Sequence, residues 1–301
     1  MAAYTWADGA NKEDLLDILT NLSPTETQLI SGLGTSKANG TLHQWLTDTL
    51  SAVKANAFAE GADASYTALT NPTRLTNVTQ ISRQAFQVSG TERAVDTAGF
   101  SDRMAYEAEK AMKVIKNDME LAIMCGTLTQ SVVSTNTARS LTGVKAALVS
   151  MTSSQSGVSL TETIFNNYLQ LVWDTTNVEV DEVYGDMTMK RRISGFTGNA
   201  TKNVNVTDKR LVNSVSVYEA DAARLVKIFA HRYVNLLASG SAVTNHDLVG
   251  INSEKFKVAY LRKPFMTDLA KTGDSDKAEI ITEYTLEYLN PYAGFVAKSL
   301  L

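Results

Sequence analysis

From 101 to 125 apolar residues recur at spacings of three and four. Met104, Ala108, Ala111, Ile115, Met119 and Ala122 form the stripe, and Met112 and Ile123 widen it. This pattern predicts one long amphipathic helix. Lys110, Lys113, Lys116 and Glu120 are expected on its solvent side, with Gly126 as the C-terminal stop. About 25 residues at 1.5 Å each give a length of about 38 Å, well above that of an average globular helix.

Residues 42–95, before this helix, follow a different rule. Leu42-His-Gln-Trp-Leu-Thr-Asp-Thr-Leu50 reads as a strand and 75–88 as its return, joined by a small-residue loop over 55–72 with Glu60-Gly-Ala-Asp63 at its tip. In the return strand Val78, Phe86 and Val88 point one way and Ile81 and Ala85 the other, so neither face is a clean apolar surface. A two-stranded ribbon is marginal in water by itself. It is therefore expected to be held from outside its own domain, with another copy of the chain as the holder. The alternative is a hairpin lying on its own domain.

Elsewhere the patterns are shorter. Asn11 caps a helix edged by Leu15, Leu16, Ile18 and Leu19 and stopped by Ser23-Pro24, after which Gly32, Gly34 and Gly40 read as a flexible arm. Ser159-Leu-Thr-Glu162 is a capping box, followed by Ile164, Phe165, Tyr168, Leu171 and Val172 on one helical face. The polar run 150–157 before it is a boundary. Residues 178–184 alternate as a strand, 187–193 read as a short helix and 195–208 as a loop. Two strands, 212–218 and 224–234, flank a turn at 219–223, and apolar residues on both faces of the second predict the centre of an internal sheet. Near the end Ala278, Ile280, Tyr284, Leu286 and Tyr288 share one side of a strand and Glu283, Thr285 and Glu287 the other, until Asn290-Pro291 stops it. There is no internal repeat and no heptad long enough for a coiled coil.

Composition narrows the function classes. With 301 residues and 44% apolar content the chain can fill at least one core. Its 28 Lys plus Arg against 32 Asp plus Glu give a net charge of -4, which disfavours primary nucleic-acid binding. The single cysteine, Cys125, excludes an internal disulfide. The opening residues have neither a basic nor an apolar signal region, and no window is apolar enough for a membrane helix, so a cytoplasmic, membrane-free protein is expected. Five sequons, at Asn21, Asn39, Asn77, Asn199 and Asn205, read as composition.

Catalytic patterns are thin. His43, His231 and His246 are far apart, and none belongs to a metal-binding motif, so neither metal nor cofactor is expected. His231 reads as a structural histidine, and His246-Asp247 as a turn or cap without a nucleophile elbow. Gly32-Leu-Gly-Thr-Ser-Lys37 lacks the order of a phosphate-cradling loop. Cys125, at a helix C-terminus, reads as a passive thiol. Glu179, Asp181, Glu182 and Asp186 read as a solvated face, and Lys190-Arg191-Arg192 as a solvated helix surface.

An arm, a long ribbon, a long helix, a mixed region and a last amphipathic strand, in that order, resemble a tailed-phage major capsid protein of the Hong Kong 97 type. Leu269-Ala-Lys-Thr-Gly-Asp-Ser-Asp-Lys-Ala-Glu-Ile-Ile-Thr-Glu-Tyr-Thr-Leu-Glu-Tyr-Leu-Asn-Pro-Tyr-Ala293 is similar to the C-terminus of a group of phage head proteins, with support from Arg139-Ser-Leu-Thr-Gly143. The resemblance implies an α+β Hong Kong 97-like capsid fold. It has an N-terminal arm (1–36), an extended β-hairpin loop (37–96), a peripheral domain with a spine helix (97–154), an axial domain (155–262) and a return to the peripheral domain (263–301). It implies no catalytic residue. Contacts between copies are expected at Trp45, Glu60, Asp63, Arg74, Arg83 and Phe86.

The implied function is a virion shell protein that self-assembles into hexamers and pentamers of an icosahedral head around double-stranded DNA, bound without sequence specificity. Scaffolding, portal and decoration proteins are implied partners, and the host cytoplasm the place of assembly. No long helical prodomain precedes the arm, which suggests a separate scaffold or none, and Lys54 has no identifiable crosslinking partner. The alternatives are an encapsulin-like nanocompartment shell, a connector ring, or a soluble α/β enzyme working through His231, His246 and Asp247.

Overall fold

The computed structural model describes residues 27–64, 66, 69, 71–95, 102–128, 138–196, 217–219, 225–237 and 245–301. The helix expected at 11–19, most of the loop 195–208 and residues 220–223 of the expected turn lie outside these residues. The described part opens with helix α1 (Gln28–Gly32) and strand β1 (Gly34–Lys37), followed by β2 (Leu42–Thr47), β3 (Thr73–Val78) and β4 (Gln80–Ser89). Gly32 and Gly34 therefore sit in regular elements, not in the flexible arm read from the glycines. Helix α2 (Gly90–Ala94), where extended chain was expected, is capped by the Ser89 side chain accepting from Glu92 N at 3.2 Å.

The long helix is α3 (Arg103–Cys125). Ala111, Ile115, Met119, Ala122 and Ile123 of the predicted stripe are buried, but so is Glu120, which had been expected in solvent. The helix stops as expected at Gly126, whose N–H reaches Ala122 O at 2.8 Å. Gly126 and Gly143 meet backbone to backbone, with Gly143 N donating to Gly126 O at 2.9 Å. A Cβ on Gly143 would lie 2.6 Å from Gly126 N, so the segment around Arg139 can only close on the helix end with glycine there.

Helix α4 (Val144–Ala147) and strand β5 (Thr152–Ser154) lead to α5 (Glu162–Thr176). Thr161, not Ser159, caps α5, its hydroxyl accepting from Ile164 N at 3.3 Å. The buried face is Phe165, Tyr168, Leu169 and Val172, while Leu171, assigned to it from the sequence, is exposed. Next come β6 (Glu182–Gly185), α6 (Met187–Ser194), β7 (Val217–Glu219), β8 (Leu225–Ala230), β9 (His246–Ile251), β10 (Phe256–Leu269), β11 (Ser275–Tyr288) and β12 (Gly294–Leu300). Helix α6 lies where 187–193 predicted it, capped by Asp186 accepting from Met189 N at 2.8 Å.

Three sheets result, with orders β1-β10-β11-β4, β5-β12-β9-β6-β8-β7 and β2-β3. The six-stranded sheet is mixed: β6 is parallel to β8 and antiparallel to β9, and β12 is parallel to β5 and antiparallel to β9. Its centre is β9 and β6. Strand β8, expected at the centre, lies one place from the edge, and its alternation leaves Leu225 exposed over buried Val226 and Ile228. Phe165, Leu169, Val172, Val183, Ile228, Leu248 and Phe295 fill one core, in which Tyr168 stacks on Phe295 at 5.1 Å. Gly250 lets that ring close on the sheet, since a Cβ there would collide with it.

By contacts the chain forms two compact units. One contains Arg83–Asn117 and Pro264–Ile281, and the other contains Thr27–Ser82, Asp118–Lys263 and Thr282–Leu301. In the first, Asp276 pairs with both Arg93 and Lys271, which hold its carboxyl below the usual range, Lys271 contributing most. Strand β11 runs through both units; its period-two burial appears as read at Ala278, Ile280, Tyr284 and Leu286, but Glu283 and Thr285 on the other face are buried too.

Candidate subunit interface

The ribbon predicted over 42–88 forms only in part. Strand β2 pairs antiparallel with β3 in the register Leu42↔Val78 to Thr47↔Thr73. At Thr79 the return strand breaks, and β4 leaves the ribbon to become an outer strand of the four-stranded sheet. The expected single strand is therefore two, each serving a different sheet.

One face of the ribbon is docked on its own chain. Trp45 Nε1 donates to Tyr288 O at 2.9 Å with the two rings edge to face at 5.1 Å, and His43 Nε2 lies 3.1 Å from Glu287 Oε2, which also accepts from Ser36 Oγ at 2.6 Å. Buried Asn77 donates to Thr142 O at 3.0 Å and Leu286 O at 2.8 Å and accepts from Thr142 N at 2.9 Å, a fully used amide at the ribbon's foot. Here the rejected alternative, a hairpin lying on its own subunit, describes the root correctly.

Beyond Thr47 and Thr73 the situation reverses. In the connecting loop, which turns at Glu60-Gly61 as predicted, Leu50 is 99% exposed, Val53 102%, Phe58 69%, Tyr66 95% and Leu69 95%. Gly61 takes φ 80, the left-handed value that a tight turn demands. Single exposed apolar residues are ordinary, but five large ones on one loop mark a contact surface. The sequence had marked this loop by its small residues; its apolar ones were the stronger signal.

The residues expected at contacts between copies divide accordingly. Glu60 and Asp63 stand exposed at the tip, Arg74 on the outer face of β3 opposite Leu46, and Arg83 on the outer face of β4. Trp45 is half-buried against Tyr288, and Phe86 is half-buried on β4.

Groups with chemical potential are spent on structure. His246 Nδ1 lies 2.6 Å from Asp186 Oδ2, and Asp247 pairs with Lys145 while accepting from Ser299 N at 3.2 Å. The acidic cluster is not the solvated face it resembles. Glu182 is buried and accepts from Tyr184 Oη at 2.6 Å, Asp181 accepts from Ser253 N at 2.8 Å, and Asp186 caps α6. Burial first, and the Glu182 carboxylate after it, push the Tyr184 phenol far above its usual range, so it remains the donor. Among the described residues no group of three or more His, Cys, Asp or Glu side chains is placed to hold a metal ion, and no helix is long and apolar enough to cross a membrane.

Cys125 donates its S–H to Tyr233 O at 3.2 Å, and burial pushes its thiol up to about 11. At neutral pH the thiolate is then depleted roughly a hundredfold relative to an ordinary thiol. Iodoacetamide at pH 7.5, followed by intact mass, is expected to label the native chain far more slowly than the urea-unfolded chain. Equal labelling rates would contradict the burial.

A profile of the SU10 major capsid protein family matches residues 3–300. The major capsid protein of Escherichia phage Phieco32 is 27% identical over 324 aligned positions covering 91% of this chain and 90% of that protein. The cyanophage A-1(L) capsid asymmetric unit superposes with a TM-score of 0.68 at 15% identity, over 96% of this chain and 97% of the other. The holo-SrpI encapsulin complex of Synechococcus elongatus PCC 7942 superposes with a TM-score of 0.58 at 11% identity, over 97% and 92%. At these identities the superpositions bear on fold alone, and the fold is the α+β Hong Kong 97-like one. The profile match spans almost every residue: the chain belongs to the SU10 major capsid protein family, structural proteins and not enzymes, which form virion capsids from many copies of themselves.

Proposed function

We propose that this chain is the repeating tile of a tailed-phage head, assembling in the host cytoplasm into hexamers and pentamers of an icosahedral shell that encloses double-stranded DNA. The observation that carries this reading is the loop between β2 and β3: a ribbon fixed at its root to its own subunit, with large apolar side chains exposed among the described residues of its far end. A contact in which a loop on one copy meets a different surface on the next is heterologous, and heterologous contacts give rings where the rotation between copies closes.

In this reading the segment 37–96 reaches over a neighbour through its loop between Thr47 and Thr73 alone, 97–154 carry the spine helix α3, 155–262 form the axial domain, 263–301 return to the peripheral domain, and 1–36 form an arm that ends in the docked α1 and β1. The apolar loop residues supply the buried area of the contact, with Glu60, Asp63, Arg74 and Arg83 fixing its register; Trp45 and Phe86 support it from beneath. A net charge of -4 suits a tile that must not bind its packaged DNA tightly. Portal, scaffolding and decoration proteins are the partners such a head would use.

Particles purified from producing cells and treated with nuclease test the reading. A protected double-stranded DNA content supports a phage head. A protein cargo without DNA would instead support a nanocompartment, whose shell can share this fold.

A further inference from the structure

The long helix carries one residue that its amphipathic pattern does not account for. Glu120 lies on the polar side by periodicity, yet is 0% exposed. Its carboxylate accepts from Leu29 N at 2.7 Å through Oε1 and from Ile30 N at 2.9 Å through Oε2, and His231 Nε2 lies 3.0 Å from Oε1. The three donors come from segments roughly ninety and more than a hundred residues away along the chain. His231 is itself buried, edge-on to Tyr184 at 5.6 Å and to Tyr233 at 5.8 Å. Gly32 closes the same cluster from the other side: a Cβ there would lie 3.3 Å from Glu182 Oε2 and 3.5 Å from Tyr184 Oη.

We infer that Glu120 is the positioning residue that ties Leu29 and Ile30 to the end of α3, with His231 as its support, and so fixes the register of α1 on the long helix. The tie is selective for a charged carboxylate. Both oxygens face N–H donors, so a group that replaces either oxygen with a donor sets donor against donor. The short helix α1 leaves its first N–H groups without partners of its own, and Glu120 fills that need across the fold. Apolar packing of Leu29 and Leu33, both buried, holds the segment against the core but sets no register. The carboxylate does, because two adjacent N–H groups must meet its two oxygens. This goes beyond the shell reading and does not require it, since the tie is made within a single subunit.

Amide hydrogen exchange on the full-length unassembled chain tests the tie. Glu120→Gln is expected to speed exchange at Leu29 and Ile30 roughly tenfold or more while leaving α5 at the parent rate, because one local hydrogen bond is lost and the global fold is kept. Unchanged exchange at Leu29 and Ile30, or acceleration spread evenly over the chain, would overturn the inference. His231→Gln and His231→Phe supply a second arm that stands if the first variant does not fold. Glutamine keeps an N–H donor and is expected to retain the protection, phenylalanine to lose it. Equal protection in the two would also overturn it.

Discussion

Replacing residues 55–71 with a short Gly-Ser turn is expected to leave a subunit that folds and melts close to the parent but forms no closed shell. The excised segment includes Phe58, Tyr66 and Leu69, which are exposed and contribute nothing to their own subunit's core. The root that remains is held independently, by Trp45 on Tyr288 and by Asn77 on Thr142 and Leu286. Shortening a surface loop changes closure entropy only slightly, by about 0.6 kcal/mol per halving of its length. Assembly, by contrast, loses its apolar contact outright. Melting by circular dichroism and particle counts by electron microscopy read the two effects separately. A variant that unfolds would place the loop in the subunit's own core, and one that still forms shells would remove it from the lattice.

Glu283→Ala is expected to have the largest effect on the subunit itself, a loss of about 3 kcal/mol or more in stability. Glu283 is buried on β11 and serves three partners: Arg139 at 2.9 Å and Thr79 Oγ1 at 2.8 Å through Oε1, and Arg262 Nε at 3.0 Å through Oε2. Removing it leaves the mostly buried Arg139 guanidinium with only the Thr79 carbonyl, at 3.1 Å, from this network. The penalty is dominated by that stranded charge, not by the strength of the pair. Glu283→Gln removes the same charge while retaining an acceptor oxygen and the volume, so it should keep most of that loss in urea unfolding. A loss for Glu283→Gln that is only a small part of the alanine loss would show that the carboxylate's charge is not what the arginines require.

How much of this was legible in the sequence depended on whether an element kept one wet face. Helix α3, helix α6 and the near half of β11 alternate between core and water, the described loop tip lies wholly in water, and all were read within a few residues. Strands β9 and β12 are buried on both faces over most of their length, so Leu248-Val-Gly-Ile251 and Gly294-Phe-Val-Ala297 show no period of two and were missed. In β12 the positive φ of Ser299 and a register shift between Ala297 and Leu300 further blur the pattern. The break at Thr79 was invisible because both halves of the return strand are equally strand-like; only their partners differ.

Polar residues misled for a related reason. Glu182 is buried and accepts from Tyr184 only two residues on, whereas Glu120, Glu283 and Asp181 sit at positions that periodicity assigns to solvent and are each taken up by donors distant in sequence. Nothing local marks such a residue, since its partners lie tens to hundreds of positions away. His231 could be assigned a structural role from its apolar neighbours, but not its partner. On the ribbon, the exposed position of Glu60 and Asp63 at the loop tip was legible. The half-buried position of Trp45 was not, because it depends on Tyr288.

The central claim is that the loop between Thr47 and Thr73 gains its partners only from other copies. Limited proteolysis with chymotrypsin, which cuts after Phe58 and Tyr66, measures this directly on dilute subunits and on assembled particles. The account predicts rapid cleavage at both sites in the subunit and protection in the particle. Protection already present in a dilute monomer, or equal cleavage in both states, would contradict it.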